Sequence, residues 1–368
     1  MNHIDMNSKQ APVLEIKNLR VHRGREFNLS IDHLDLMKGE VLAIIGPNGA
    51  GKSTFLLAIS KQLITETSSI CFMGQSLNKI KDLNYRRNIA LVLQEPLLLD
   101  TSVHNNIAIG LRFRGISKLE QNKRVKEWLS RLNIEHLEDR PALQLSSGQA
   151  QRVSLARAMV LKPTLLLLDE PFRALDTPTR ITLIEDLCAV LSDTETTAIF
   201  ITHDQEQALS IGDRIAVFLD GRMRQVGSPQ SVFSSPIDTD VANFLGVENV
   251  LPGFVVNSED GKMTVDVKGK KLEAIGKVES GREILFCLRP EDITIWKTLD
   301  IPLSSARNLL SGRVTSITNQ GPLFQINIDC GFPLVVLITR ASAQDLEIGL
   351  GMEVSAVFKA SAVHLIPR

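Results

Sequence analysis

The apolar run Val41-Leu-Ala-Ile-Ile45 leads without a break into Gly46-Pro47-Asn48-Gly49-Ala50-Gly51-Lys52-Ser53-Thr54. Five consecutive apolar residues ending at a glycine suit a short strand buried on both faces. From Ser53 to Leu63 the apolar residues return at helical spacing. The segment between fits G-x-x-x-x-G-K-[ST], and a strand before it and a helix after it are the context that its physics requires. Its glycines let backbone N–H groups turn inward around an anion, and the helix N-terminus adds positive potential. In such a loop Lys52 reaches the outer phosphates of a nucleotide, while the Ser53 hydroxyl ligates Mg²⁺. A chain built around this unit is committed to an α/β layer with a mainly parallel sheet.

Two further buried-strand candidates, Leu165-Leu-Leu-Leu168 and Ala198-Ile-Phe-Ile201, are each followed by polar residues. The first delivers Asp169 and Glu170 at its C-terminal end, where ligands bind in an open parallel sheet. Two acids after a strand often only begin a helix. Behind a phosphate loop they read as an Asp169 on the Mg²⁺ side and a Glu170 that polarises attacking water. Leu145-Ser146-Ser147-Gly148-Gln149 opens a helix that continues through Arg157, and its small residues leave backbone N–H groups open to an anion.

Near Pro229 to Pro236, a segment rich in Ser and Pro, the pattern changes. Beyond it, alternating stretches such as Met263-Thr-Val-Asp-Val267 and Phe324-Gln-Ile-Asn-Ile328 lie between Gly, Asn and Pro turns. That is the text of a small all-β barrel. Two domains are therefore expected, 1–236 and 237–368, in keeping with a length of 368 residues.

Composition removes several alternatives. With 41 Lys+Arg against 42 Asp+Glu, the net charge is −1, which argues against a nucleic-acid coat protein or polybasic membrane binder. Aromatics are 5 %, with Tyr85 the single tyrosine, so stacking platforms for single strands or sugars are not a theme. Cys71, Cys188, Cys287 and Cys330 are far apart and form no C-x-x-C pair, so four small buried hydrophobes in a reducing compartment are expected. No apolar run approaches the ~20 residues of a membrane span, so any membrane role requires a partner.

These motifs, in this order, resemble those of the ATP-binding subunits of ABC transporters. Gln94 in Val92-Leu-Gln-Glu-Pro96 matches the family's Q-loop, and Leu145 to Gln149 resembles its signature LSGGQ, with Ser147 replacing the first Gly. Ala174-Leu175-Asp176 resembles the D-loop, and His203 in Ile201-Thr-His-Asp204 matches the switch histidine. The resemblance implies a P-loop ATPase fold with a helical subdomain, an ATP site at Gly46 to Thr54, and Mg²⁺ at Ser53, Asp169 and Gln94. It implies catalysis by Lys52, Glu170 and His203. It also implies a head-to-tail homodimer, in which Ser146, Ser147, Gly148, Gln149 and Asp176 serve the nucleotide of the opposite subunit. The implied setting is the cytoplasmic face of the cell membrane, with integral permease subunits and, indirectly, a periplasmic or extracellular solute-binding protein.

Three features depart from that pattern. Arg173 stands where the D-loop usually begins with Ser, adding a charge near the dimer interface. Ser147 adds a hydroxymethyl group. In Val21-His22-Arg23-Gly24-Arg25-Glu26-Phe27, where the family stacks adenine on an aromatic ring, there is no Tyr or Trp. Arg23 is the residue expected to take that place by its planar face, with His22 and Phe27 as alternatives.

In the C-terminal part, Leu288-Arg-Pro-Glu291-Asp292 resembles the R-P-E stretch of accessory β-domains in ABC importers for inorganic ions, polyamines and sugars. Ser305-Ala306-Arg307-Asn308, then Ile338-Thr-Arg-Ala-Ser342, then Lys359-Ala360-Ser361 resemble a molybdate-binding Mop-type module of the TOBE group, an OB-like fold. Hydroxyls, backbone N–H groups and the cations Arg307 and Lys359 suit a tetrahedral dianion, and none of the three short motifs contains a carboxylate. The resemblance thus implies molybdate or tungstate as transported solute and regulatory ligand. The weighed alternatives are an importer ATPase for sulfate, Fe³⁺, polyamine or sugar, a soluble ABC ATPase working on ribosomes or DNA, and an oxyanion store with a vestigial ATPase.

Overall fold

The three apolar runs lie together within one sheet. In the computed structural model, which describes residues 11–23, 27–63, 67–297 and 304–368, the chain divides into two units, Met1–Val232 and Phe233–Arg368. The first unit holds β1 (Leu14–Arg23), β2 (Phe27–Leu36), β3 (Val41–Ile45), β4 (Thr67–Phe72), β5 (Gln75–Ser76), β6 (Ile89–Val92), β7 (Leu165–Asp169), β8 (Thr197–Ile201), β9 (Arg214–Leu219) and β10 (Arg222–Gly227). Their order in the sheet is β5-β4-β1-β2-β10-β9-β3-β8-β7-β6.

The half β9-β3-β8-β7-β6 is parallel throughout. Every residue of β3 and of β8 is buried, as are Leu165 to Leu168 of β7. Continuous apolar sequence is what a strand covered on both faces requires. The parallel register carries a consequence for chemistry. The chain leaves β3, β6, β7 and β8 at the same sheet edge, so the segments after Ile45, Val92, Asp169 and Ile201 emerge together.

Helices α1 (Lys52–Ile59) and α2 (Asp82–Asn88) flank the sheet. A helical subdomain follows, made of α3 (Val103–Phe113), α4 (Lys118–Arg131) and the start of α5 (Ser147–Met159). Ser102 and Ser117 cap α3 and α4 by accepting the N–H groups of Asn105 and Glu120. Trp128 and Leu129 of α4 are buried against α3 and α5. Helices α6 (Thr177–Thr194) and α7 (Gln205–Ile211) complete the unit. Among the described residues no helix is long and apolar enough to cross a membrane.

The second unit is antiparallel. One sheet contains β11 (Asn249–Glu259), β12 (Lys262–Val267), β13 (Lys270–Ile275), β14 (Glu283–Leu288) and β20 (His364–Pro367). The other contains β15 (Thr294–Trp296), β16 (Asn308–Gln320), β17 (Leu323–Asp329), β18 (Pro333–Thr339) and β19 (Glu353–Phe358). Both contribute to one core, from Val255, Val265 and Phe286 to Ile326, Val336 and Phe358. Cys330 belongs to that core and Cys287 to a smaller cluster with Ala242, Val247, Leu285 and Ile366; burial pushes their thiols up to about 11 and about 12. The cysteines are all free, but Cys71 and Cys188 are only half-buried, so two of the four fall short of the expected core role.

Candidate functional site

The loop after β3 is shaped by two glycines. A Cβ on Gly46 would lie 2.2 Å from the carbonyl oxygen of Phe218, on the adjoining β9, so no side chain fits there. Gly51 caps α1 at φ 100°, a left-handed conformation that side-chain-bearing residues avoid. Within the loop, Ala50 N–H donates to the Pro47 carbonyl at 3.2 Å. Lys52 is buried and donates to the carbonyls of Gly46 and Pro47 at 2.7 and 3.0 Å. Burial pulls its pKa down, opposed by the charges of Glu170 and Asp169.

Facing the loop, β7 ends in Asp169, whose Oδ1 accepts a 3.2 Å bond from the Ser53 hydroxyl. Burial raises the Asp169 pKa, with the Ser53 bond opposing and the Glu170 charge adding. Glu170 follows at φ 44°, a strained left-handed conformation costing about 1–2 kcal/mol for an L-residue. Its N–H donates to the carbonyl of Ile201, the last residue of β8, and this bond fixes the turn. Strain of this kind concentrates at functional sites. Oε2 of Glu170 is met at 3.0 Å by Nδ1 of His203 and at 3.2 Å by Nη1 of Arg173. Because an ionised carboxylate only accepts, Nδ1 of His203 carries the proton in this arrangement. Asp204, capping α7 through the N–H groups of Glu206 and Gln207, anchors the segment that holds His203.

A cavity of about 530 Å³ is lined by Asn48, Gly49, Gly51, Lys52, Ser53, Thr54, Gln94, Asp169, Glu170 and Arg173; His203 is not among its lining residues and joins the site through Glu170. Arg173, expected near a dimer interface, lines this cavity and is ion-paired to Glu170. A charge three residues after Glu170 was visible in the sequence, but its direction depended on the turn. A second missed residue is Arg157 of α5. It donates to the carbonyls of Pro96 and Leu97 at 2.6 and 3.0 Å and so ties the segment after Gln94 to α5.

Ser146 caps α5 in a reciprocal box: its hydroxyl accepts from Gln149 N–H, and the Gln149 side chain accepts from Ser146 N–H. Ser147 and Gly148 form the first turn. Asp176 stands at the N-terminal cap of α6. None of these residues lines the cavity of the same chain. Of the adenine-stacking candidates, the side chains of Arg23 and Phe27 lie outside the described residues, and His22 is exposed. Tyr85 is fully buried, donates to the Ile59 carbonyl at 2.6 Å and meets Phe72 edge-on, so it braces the end of α1.

The donor set fits Mg²⁺: one hydroxyl (Ser53), one carboxylate (Asp169) and one amide (Gln94) border the same cavity. No group of three or more His, Cys, Asp or Glu gathers for a metal among the described residues. Few protein ligands, with phosphate and water completing the octahedron, is the usual way this ion binds.

The oxyanion candidates in the second unit are less united. Asn308 pairs with Phe358, which brings Ser305-Ala306-Arg307 beside Lys359-Ala360-Ser361. Ser342 instead lies in α8 (Arg340–Asp345), after β18, whose Thr339 pairs with Leu323 near the other end of β16. Those ends are roughly 40 Å apart along a strand of this length. Arg307 makes a two-pronged pair with Glu273, at 3.1 and 3.0 Å, and Asn308 is locked to the Glu273 backbone. A carboxylate thus reaches the motif from another strand.

Residues 29–173 match the ABC transporter family, and residues 304–365 match the TOBE domain. The molybdate/tungstate import ATP-binding protein WtpC of Pyrococcus horikoshii is 38 % identical over 348 residues, covering 93 % of this chain and 97 % of that protein. The spermidine/putrescine import ATP-binding protein PotA of Legionella pneumophila is 33 % identical over 322 residues, 87 % of each chain. Among solved structures, cbiO1 of Clostridium perfringens, part of the ABC transporter complex cbiONQ, superposes with a TM-score of 0.57 at 30 % identity, covering 61 % of this chain and 91 % of that one.

Proposed function

Because the chain belongs to the import ATP-binding subunits of ABC transporters, which hydrolyse ATP, we propose that it energises uptake of molybdate or tungstate. The observation that supports the substrate is the 38 % identity to WtpC through both units, against 33 % and 32 % for PotA relatives matched over 87 % and 93 % of the chain. The reading includes a homodimer on the cytoplasmic face of the membrane, permease subunits beside Gln94 and Pro96, and a solute-binding protein beyond them.

In the proposed reaction, ATP lies with its phosphates along Gly46–Thr54, and Lys52 leaves the Gly46 and Pro47 carbonyls for the β- and γ-phosphates. Mg²⁺, held by Ser53, Asp169 and Gln94, supplies positive charge beside the phosphate oxygens when bound. Glu170 accepts a proton from the water whose oxygen attacks the γ-phosphorus. The bond from that phosphorus to the bridging oxygen breaks, its electron pair leaves with ADP, and the products are ADP and phosphate. His203 holds the carboxylate through Nδ1 and presents its other nitrogen to the γ-phosphate. Ser146, Ser147, Gly148, Gln149 and Asp176 complete the site of the opposite subunit. Such catalysis is mostly positioning and charge stabilisation. The second unit takes the oxyanion as a restraining ligand.

The test is uptake by cells lacking this gene and resupplied with it. Expected is restored molybdate and tungstate uptake, with spermidine uptake unchanged. Restored spermidine uptake alone would overturn the oxyanion assignment in favour of the polyamine reading that the PotA relatives support.

A further inference from the structure

Arg173 is the only cation besides Lys52 among the described residues lining the nucleotide cavity. The two are disposed differently. Lys52 is buried and held by loop carbonyls. The Arg173 side chain is 45 % exposed, and its hydrogen bond goes to Glu170, whose side chain is 10 % exposed. His203 Nδ1 reaches the same oxygen, Oε2. Oε1 of Glu170 takes no hydrogen bond among the described residues. Two donors on one carboxylate oxygen fix the rotation of the group about its last torsion, which is otherwise broad. They also leave the second oxygen as the proton acceptor.

We propose that Arg173 is a positioning residue for hydrolysis: with His203 it clamps Oε2 of Glu170, so that Oε1 is the oxygen presented to the attacking water. The backbone contributes to the same end. Glu170 stands in a left-handed turn pinned by the Ile201 carbonyl, and Arg173 N–H donates back to the Glu170 carbonyl at 3.2 Å. Backbone and side chain of Arg173 thus close one small ring on the glutamate. A clamp of this kind acts on the chemical step and leaves nucleotide affinity to the loop and Lys52. A serine at this position is too short to span from the turn to the carboxylate as the guanidinium does.

The inference rests on Glu170 as the base, and a double-mutant cycle on the full-length protein separates the two. ATPase kinetics are measured for wild type, Arg173→Ala, Arg173→Lys, Glu170→Gln and the Arg173→Ala/Glu170→Gln pair. Expected is a fall in kcat on the order of tenfold for Arg173→Ala with KM for ATP unchanged. Arg173→Lys recovers part of the loss, and Arg173→Ala has no further effect once Glu170 is Gln. A raised KM with normal kcat would overturn the clamp and make Arg173 a phosphate contact. A raised kcat would overturn it in favour of a brake, and equal losses in both backgrounds would show that Arg173 acts without Glu170. A Glu170→Gln enzyme of normal rate would instead remove the base itself, whatever Arg173 does.

Discussion

The nucleotide cavity and the oxyanion motifs were both written in the sequence as short, ordered patterns, yet only the first converges within one chain. In the first unit, β3, β8, β7 and β6 are four consecutive parallel strands, so whatever follows each strand arrives at one edge. Lys52, Gln94, Asp169, Glu170 and His203 are scattered over 150 positions and still meet, because the topology does the gathering. In the second unit the strands are antiparallel, and motifs at opposite ends of the long β16 stay apart. Ser305–Asn308 and Lys359–Ser361 meet, whereas Ser342 does not. Motif order is therefore strong evidence for a site in a parallel sheet and weak evidence in an antiparallel one.

The largest effect should come from the converged site. Glu170→Gln keeps the shape and removes the base, so ATP turnover should fall by about 10²- to 10⁴-fold while ATP binding persists. Steady-state hydrolysis alongside nucleotide-binding titration checks this. Normal turnover would mean that the strained turn at Glu170 serves structure rather than proton transfer.

A smaller effect is expected in the second unit. Glu273 neutralises Arg307 in the resting protein, so an incoming dianion has to displace a carboxylate. If Ser305–Asn308 forms part of the oxyanion site, Glu273→Gln should tighten molybdate a few-fold, the scale of an exposed ion pair. Calorimetry of the full chain against molybdate, tungstate and sulfate measures it. Unchanged affinity in the variant would place the ligand away from Arg307.

The same contrast explains how much could be read beforehand. The strands β3, β7 and β8 announce themselves as apolar runs of four or five residues, and the chemistry lies at their ends, so fold and cavity were legible together. Arg173 was legible as a departure but not as a cavity residue. Its direction follows from the positive φ of Glu170, and no sequence pattern marks a glutamate in that conformation. Arg157 reads as one more helical arginine until the chain after Gln94 folds back onto α5. In the β unit, Glu273 lies 34 residues from Arg307. Only the pairing of strands brings the two together, and alternation of apolar residues does not specify which strand pairs with which.

The smallest effect concerns His364, in the same unit. Its Nε2 donates to the Pro236 carbonyl at 3.1 Å, and burial lowers its pKa below the ordinary 6.5, with that hydrogen bond opposing. The unfolded chain therefore binds a proton at a higher pH than the folded one. Stability from the neutral imidazole is complete above pH 6.5 and is lost as pH falls from there through the lower folded value. Melting followed by Trp296 fluorescence, in a Trp128→Phe background so that only the β unit reports, should drop by a few degrees between pH 7.5 and 5. His364→Gln keeps a donor for Pro236 but cannot titrate, so it should flatten that slope without shifting the pH dependence of ATP hydrolysis. An unchanged slope would assign the acid sensitivity of this unit to other groups.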